Sequence, residues 1–469
     1  MEVQWKNMEK IKSIVLTMPR WYRWVCVGLF ICYISAWIFT IHIAIVQNER
    51  GISPVMPVLA NGDSGEYASL STSILLGQGF KTDGAEETFR TPGYPSFIAL
   101  TRLISGGSYF TTTLLQIFLV FVSGFLIWRI GDMLFSSRTG MVASLLYIAN
   151  SLVFASSLII MSETLFVFLL VFGVYLSLKL KIESSWHIPV LIGLIFAFAT
   201  YVRPIGILAL PLFLAPLFVL RIPAKRVLLY ASIIAMVSTG ATVPWMIRNK
   251  EVFGVFSFSS LPASNLAFYY ISDFMASKEG TSVDYQRQVI EKATGVTFPT
   301  QAKDLSYSPI LMTYEYSVLK QNLFGYARYH IVASWPFLFS SYFAAANDIY
   351  HRAVGKPVVF QSTWRSLEAG DWRGVATSFI NPPWKLTDRS IRLAVYIFFI
   401  IGLWLCRKSK AMWVCLFSIL YLMLLVGPLA QARFAVPVIP FIALLAAAGL
   451  DIIPQWRNGH NMIKRYERQ

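Results

Sequence analysis

The 469-residue chain is 56% hydrophobic and only 14% charged, with a mean hydropathy of +0.58; this composition excludes a soluble enzyme and indicates many transmembrane helices in one integral membrane body. Lys and Arg number 40 against 24 Asp and Glu, a net charge of +16, but the basic residues fall at the ends of hydrophobic segments, where they orient spans, so nucleic acid is set aside as a partner. Cys26, Cys32, Cys406 and Cys415 lie within or at the ends of hydrophobic spans without metal-ligand spacing, so neither a disulfide framework nor a zinc site follows.

In chain order, the basic stretch Met1 to Arg23, with Lys6, Lys10, Lys12, Arg20 and Arg23, precedes an apolar run from about Trp24 to Val46. That run is too long for a signal-peptide core and no small-residue cleavage site follows, so it is expected to remain as an anchor with its basic end inside. The next stretch is then outside. Asn61-Gly-Asp-Ser-Gly-Glu-Tyr67 leads to Arg90-Thr-Pro-Gly-Tyr-Pro95, and together they concentrate two carboxylates, phenols and a guanidinium in a chain poor in charge. Asp63 followed by Glu66 fits a capping box, with Asp63 as N-cap of a helix carrying Tyr67, Leu70 and Ile74 on one face. Arg90 precedes two prolines and a glycine, which forbid a continuous helix and fix a turn. Ser96 to Leu103 reads as an interfacial helix leading to a second span near Phe110 to Ile130.

Hairpins of spans follow at Met141 to Ile159, Thr164 to Leu180, Ile188 to Tyr201, Ile205 to Leu220 and Val227 to Ile247. Their inner turns carry Lys179, Lys181, Arg221, Lys225 and Arg226, whereas of the outer turns only the second has a basic residue, Arg203. A long outer region then runs to about Arg389, too long for an ordinary connection and therefore expected to be functional. Ile331 to Ala346 within it is read as interfacial or re-entrant, since a span there would put Arg407, Lys408 and Lys410 outside. Spans near Ile391 to Leu405, Met412 to Val426 and Phe434 to Ile452 return a basic tail with Arg457, Lys464, Arg465 and Arg468 to the inside. The expectation is an all-α polytopic membrane protein of about ten spans. It divides into residues 1–250 with a first outer loop at 47–109, a long outer loop at 251–389, and C-terminal spans and tail at 390–469.

The outer face also holds Glu163 after Ser162, Arg203 before Pro204, Arg248 in Pro-Trp-Met-Ile-Arg-Asn, and Arg433 in Gln-Ala-Arg-Phe-Ala-Val-Pro. Each has a structural alternative: Glu163 can complement a helix dipole with Ser162 as N-cap, and each arginine can reach headgroups. Together they point elsewhere, because arginine is disfavoured on short outer turns. A guanidinium cluster at a membrane surface suits a phosphate, to which it offers paired donors at any relevant pH. A carboxylate beside it would repel phosphate, so it implies a second task, that of general base for an acceptor hydroxyl attacking a sugar whose leaving group is a lipid phosphate. No Walker or dinucleotide glycine motif is present.

The ordered series Gly62-Asp63-Ser-Gly-Glu-Tyr67, Arg90-Thr-Pro-Gly-Tyr-Pro95, Ser162-Glu163-Thr-Leu-Phe, Val202-Arg203-Pro204, Pro244-Trp-Met-Ile-Arg248-Asn and Arg433-Phe-Ala-Val-Pro-Val-Ile-Pro440 resembles the C-type (GT-C) membrane glycosyltransferases, in the branch of the bacterial relatives of protein O-mannosyltransferases and the lipid A aminoarabinose transferase. The resemblance covers most of Trp21 to Leu450, with residues 252–388 alike only in general character. It implies a polyprenyl-phosphate-linked sugar as donor, inverting transfer to a glycan, lipid or protein acceptor, and a bacterial cytoplasmic-membrane location with the active site outside and both termini inside. Asp63 takes the place of the family's catalytic base and Glu163 that of its second acid. Arg90, Arg203 and Arg433 stand where donor phosphate is contacted, with Glu66, Tyr67, Tyr94 and Arg248 in support. Some members bind a divalent metal; here the metal stays open. A transporter of lipid-linked glycan is the rival reading, which would place charges near the bilayer midplane in two related halves. A polymerase or ligase of envelope polysaccharide is a third.

Overall fold

The computed structural model describes residues 18–49, 62–180, 186–335, 338, 370–374, 383–429 and 432–451. Lys6, Lys10, Lys12, Lys181, most of the stretch read as re-entrant, and Arg457, Lys464, Arg465 and Arg468 lie outside the described residues.

Helix α1 (Arg20–Glu49) turns Trp24, Ile31 and Ile38 outward, as a lipid-facing span does, and is held to the body by polar tips on one side. The Tyr33 hydroxyl donates to the Ile148 carbonyl at 2.7 Å, and Trp37 Nε1 donates to the Phe110 carbonyl and to Thr113 Oγ1, each at 3.1 Å. Helix α2 (Gly62–Leu75) follows, then a two-stranded antiparallel hairpin, β1 (Lys81–Thr82) and β2 (Ala85–Glu86). Its Asp83-Gly84 turn has φ of 51° and 81°, the mirror-image turn that matches strand twist. Helix α3 (Gly93–Ile104) buries Tyr94 and Ile98 and exposes Leu100, Leu103 and Ile104, the one-sided pattern expected of an interfacial helix.

The central body is built of α4 (Tyr109–Leu134), α5 (Ser137–Ile148), α6 (Ser151–Ser157), α7 (Glu163–Lys179), α8 (His187–Val202), α9 (Leu210–Val219) and α10 (Ala224–Phe253). The expected single span Met141 to Ile159 is in fact two helices, α5 and α6, bent by 56°. The cause is local: Asn150 Oδ1 accepts from the Leu152 and Val153 amides at 2.9 and 3.4 Å and so starts a new helix. Likewise the expected Ile205 to Leu220 span opens with a 3-10 turn, Pro204–Leu208, before α9.

Between α10 and the C-terminal spans, α11 (Leu261–Asn265), a π turn (Leu266–Ile271), α12 (Ser272–Glu279), α13 (Val283–Thr294) and α14 (Ser308–Ala333) enclose a small core of their own around Phe268, Ile271, Ile290 and Leu311. Helix α15 (Pro383–Leu405), α16 (Lys410–Val426), a 3-10 stretch (Ala432–Val438) and α17 (Ile439–Leu450) complete the described chain. Glycines set the crossing of α15 and α17: a Cβ on Gly402 would lie 2.0 Å from the Leu445 carbonyl oxygen, and one on Gly449 2.1 Å from that of Phe398. The Tyr270 hydroxyl donates to the Val426 carbonyl at 2.8 Å, and His330 Nε2 lies 2.8 Å from the Leu424 carbonyl oxygen. The 261–333 region is thereby fastened to the end of α16, just before the segment that carries Arg433.

The expected spans fall on apolar helices over the described residues, one of them divided between α5 and α6 and the last opening with a 3-10 stretch, in an all-α polytopic architecture. Four described helical segments are long and apolar enough to cross a membrane unaided, residues 20–46, 109–134, 224–253 and 432–450, and the bent pair α5 and α6 makes a fifth if it counts as one span. Of the others, α7, α8, α9 and α16 have 17 residues or fewer, and the 23-residue α15 carries Lys385, Asp388, Arg389 and Arg392 in its first half.

Candidate active site

Asp63 lies in the first turn of α2, inside the helix that begins at Gly62 rather than before it. The capping-box expectation is therefore corrected. Asp63 Oδ1 accepts from Arg90 Nη2 at 2.7 Å and Oδ2 accepts from Arg433 Nη1, so both oxygens go to guanidinium groups. Glu66, one turn on, accepts from Arg90 Nε at 2.6 Å and from Lys303 Nζ at 2.6 Å. These charged donors are stronger partners than a helix N–H, which explains why the local pattern is overridden. Burial favours the neutral acid at Asp63, but the fields of Arg90 and Arg433 outweigh it and hold the carboxyl at about 2.

The second acid sits close by. Glu163, 1% exposed, opens α7 and faces Arg203 Nη1 at 2.6 Å. Its approach is that of an ion pair, without the alignment of a hydrogen bond. Ser162 does not cap α7. Its hydroxyl instead lies 3.4 Å from both Arg203 Nη1 and the Tyr67 hydroxyl, and so joins the two acid centres. Arg203 is aimed by its neighbour: Pro204 disfavours helix at the preceding residue, and Arg203 is extended at φ −146° and ψ 127°, ending α8. Phe434 lies under both remaining arginines, 5.5 Å from the Arg203 guanidinium carbon and 4.9 Å from that of Arg433.

Tyr67 and Tyr94 form the floor. Tyr67 lies 5.1 Å below the Arg90 guanidinium and meets Tyr94 edge-on at 4.8 Å. Tyr94 is fully buried and donates to Gln116 Oε1 at 2.6 Å, while Gln116 Nε2 donates to the Ser157 and Ile159 carbonyls. Burial pushes the Tyr94 phenol far above its ordinary range, so it is a strut and a donor rather than an acid or base. Arg248 stands apart. It donates to Glu86 and, at 3.4 Å, to the Glu87 carbonyl, and thus grips the β1–β2 hairpin without reaching the carboxylates of Asp63, Glu66 or Glu163.

Of the residues singled out in the sequence, Asp63, Glu66, Tyr67, Arg90, Glu163, Arg203 and Arg433 converge. Lys303 has no sequence signal of its own, being one lysine in the long polar region between α10 and α15. Four cations, Arg90, Arg203, Lys303 and Arg433, face three carboxylates, Asp63, Glu66 and Glu163, which leaves the cluster electropositive. Each carboxylate already has a cationic partner, so the donor set does not fit a divalent metal; among the described residues no group of three or more His, Cys, Asp or Glu is placed to hold one.

Residues 90–246 match the family described as dolichyl-phosphate-mannose-protein mannosyltransferase. Over those residues the GT-C resemblance holds. The matched segment contains Arg90, Glu163 and Arg203, and Asp63, Lys303 and Arg433 lie outside it. None of the curated proteins matches the sequence. Among solved structures, the Archaeoglobus fulgidus oligosaccharyltransferase tethered with an acceptor peptide is 13% identical at a TM-score of 0.47, the match covering 94% of this chain and 51% of that one. The same archaeal enzyme, AglB, with an inhibitory peptide and dolichol-phosphate is 13% identical at a TM-score of 0.45, covering 94% of this chain and 52% of that one. The chain thus spans about half the length of these archaeal enzymes. ArnT from Cupriavidus metallidurans bound to undecaprenyl phosphate is 13% identical at a TM-score of 0.37, covering 94% of this chain and 85% of that one.

Proposed function

We propose that the protein is an inverting glycosyltransferase that moves a sugar from a polyprenyl-phosphate donor to an acceptor hydroxyl at the outer face of a bacterial cytoplasmic membrane. The observation that carries this reading is Asp63 bridged by Arg90 and Arg433, with the Glu163–Arg203 pair linked to Arg90 through Ser162 and Tyr67. A pure anion site has no use for carboxylates among its arginines; a transferase has.

In the proposed reaction the acceptor oxygen forms a bond to the anomeric carbon and its proton passes to Asp63. The bond from that carbon to the phosphate oxygen breaks, and the electron pair leaves on polyprenyl phosphate. Arg90, Arg203 and Arg433 stabilise that departing charge. Donor phosphate competes with Asp63 for Arg433 and Arg90, and as it takes them the carboxylate loses the field that suppresses its basicity. The base is thereby strengthened when the donor is in place. Glu163 keeps Arg203 oriented, and Lys303 brings a further cation from the outer region.

Mass spectrometry of envelope glycans from cells with and without the protein tests the activity: one sugar decoration should disappear, and identical glycan profiles would contradict it. Sidedness is tested separately with single cysteine substitutions and an impermeant thiol reagent. Positions 63, 203 and 433, partly exposed, should label from outside and 225 and 408 should not, while the buried Glu163 is not a reporter of side; labelling of 225 with protection of 203 would invert the topology. Lys303→Ala should lower kcat/KM for the donor by about 3- to 10-fold, the loss of one screened, half-exposed cation. Steady-state kinetics with purified protein checks this, and an unchanged value would remove Lys303 from donor recognition.

A further inference from the structure

Arg90 is the most heavily used cation of the cluster, yet it lies in a stretch with no regular structure between β2 and α3. Its backbone is held by a residue with no part in the acid–base chemistry. Glu87 Oε1 accepts from three successive amides, Thr88 at 2.8 Å, Phe89 at 2.6 Å and Arg90 at 3.4 Å. Its other oxygen lies 3.4 Å from the Thr82 hydroxyl on β1. Three consecutive N–H groups converging on one carboxylate oxygen form a nest, a geometry that suits an anionic acceptor and fixes the intervening backbone.

The same short segment is clamped through its carbonyls. Arg248 donates to the Glu87 carbonyl, the Ser260 amide to that of Thr88 at 3.2 Å, and Ser259 Oγ to that of Phe89 at 3.0 Å. Thr88 and Phe89 are buried, whereas Glu87 is half-buried at the rim. The segment is therefore wired to the hairpin by the Glu87 side chain and to the outer region by its carbonyls, and its next residue is Arg90.

We infer that Glu87 is a positioning residue for Arg90, holding the 88–90 backbone so that the guanidinium stands between Asp63 and Glu66 and meets the donor phosphate at a fixed angle. The inference rests on the reading of Arg90 as a phosphate contact, and two readouts separate it from that reading. The first needs no activity. Glu87→Ala should speed hydrogen–deuterium exchange in peptides covering 88–90 by about 10-fold or more, since it removes their acceptor. Glu87→Gln, whose amide oxygen can still accept, should do so much less. Unchanged exchange in Glu87→Ala would overturn the proposal.

The second readout is a double-mutant cycle on donor kcat/KM. Glu87→Ala alone should lose about 10- to 100-fold, the scale of a displaced catalytic group, and Glu87→Gln should restore most of it. In an Arg90→Ala background Glu87→Ala should cost little more, because its effect passes through Arg90. A full additional loss in that background would overturn the positioning role. Wild-type kinetics in Arg90→Ala would instead contradict the phosphate contact, while the exchange result would still decide whether Glu87 holds the segment.

Discussion

Asp63→Asn should lower turnover by about 100-fold or more, because the substitution keeps size and one oxygen acceptor while removing basicity. Asn can still accept from one arginine, so the protein should fold at a cost of about 1–3 kcal/mol. Purified Asp63→Asn with near-normal turnover would leave Asp63 a purely structural partner of Arg90 and Arg433. The pH dependence separates these roles further. Burial raises the Asp63 pKa, but Arg90 and Arg433 bring it to about 2, below its ordinary 3.8. A depressed carboxyl contributes stability in full above its ordinary range and loses it as pH falls through about 2. In catalysis, kcat/KM reports the free enzyme and kcat the donor complex. The acid limb of kcat should therefore lie at higher pH than that of kcat/KM, as donor phosphate draws the arginines away. By reciprocity, protonating Asp63 should tighten donor binding. Coincident acid limbs would contradict this competition.

Arg433→Ala should lower kcat by about 100- to 1000-fold, the loss seen when one preorganised donor to a developing oxyanion is removed. Arg433→Lys should recover only part of that, since an ammonium keeps the charge and loses the planar fork that serves Asp63 and phosphate together. The deficit should persist at saturating donor, because the leaving charge grows in the transition state. A change confined to apparent donor affinity, with kcat intact, would make Arg433 a ground-state binding group only.

The span pattern was legible because hydropathy and the placement of basic residues are properties of short windows. The site was legible only in part. Asp63, Arg90, Glu163, Arg203 and Arg433 stood out because charge on apolar outer turns is costly without a partner. What a short window cannot show is who the partner will be. Asp63 and Glu66 have the spacing of a capping box, yet their partners arrive from 27 and 370 residues away for Asp63 and 237 for Lys303 on Glu66. Arg248 looked like one more member of the set, and the acidic hairpin claimed it instead. The nest at Glu87 was hidden for a related reason: its acceptor role depends on backbone curvature, to which residue type alone gives no clue. The break between α5 and α6 did carry a signal, Asn150-Ser151 within an apolar run, whose capping ability outweighed the continuity of hydropathy.

The central claim is that this cluster transfers sugar off a lipid phosphate rather than carrying the lipid-linked sugar across the bilayer. Reconstitution of the purified protein in liposomes with radiolabelled polyprenyl-phosphate sugar, following the label on lipid and on extracted acceptor, tests it most directly. The account predicts that label leaves the lipid for the acceptor, that free polyprenyl phosphate appears in step, and that Asp63→Asn slows both by about 100-fold or more. Label that crosses the bilayer still attached to its lipid, with none on any acceptor supplied, would contradict it.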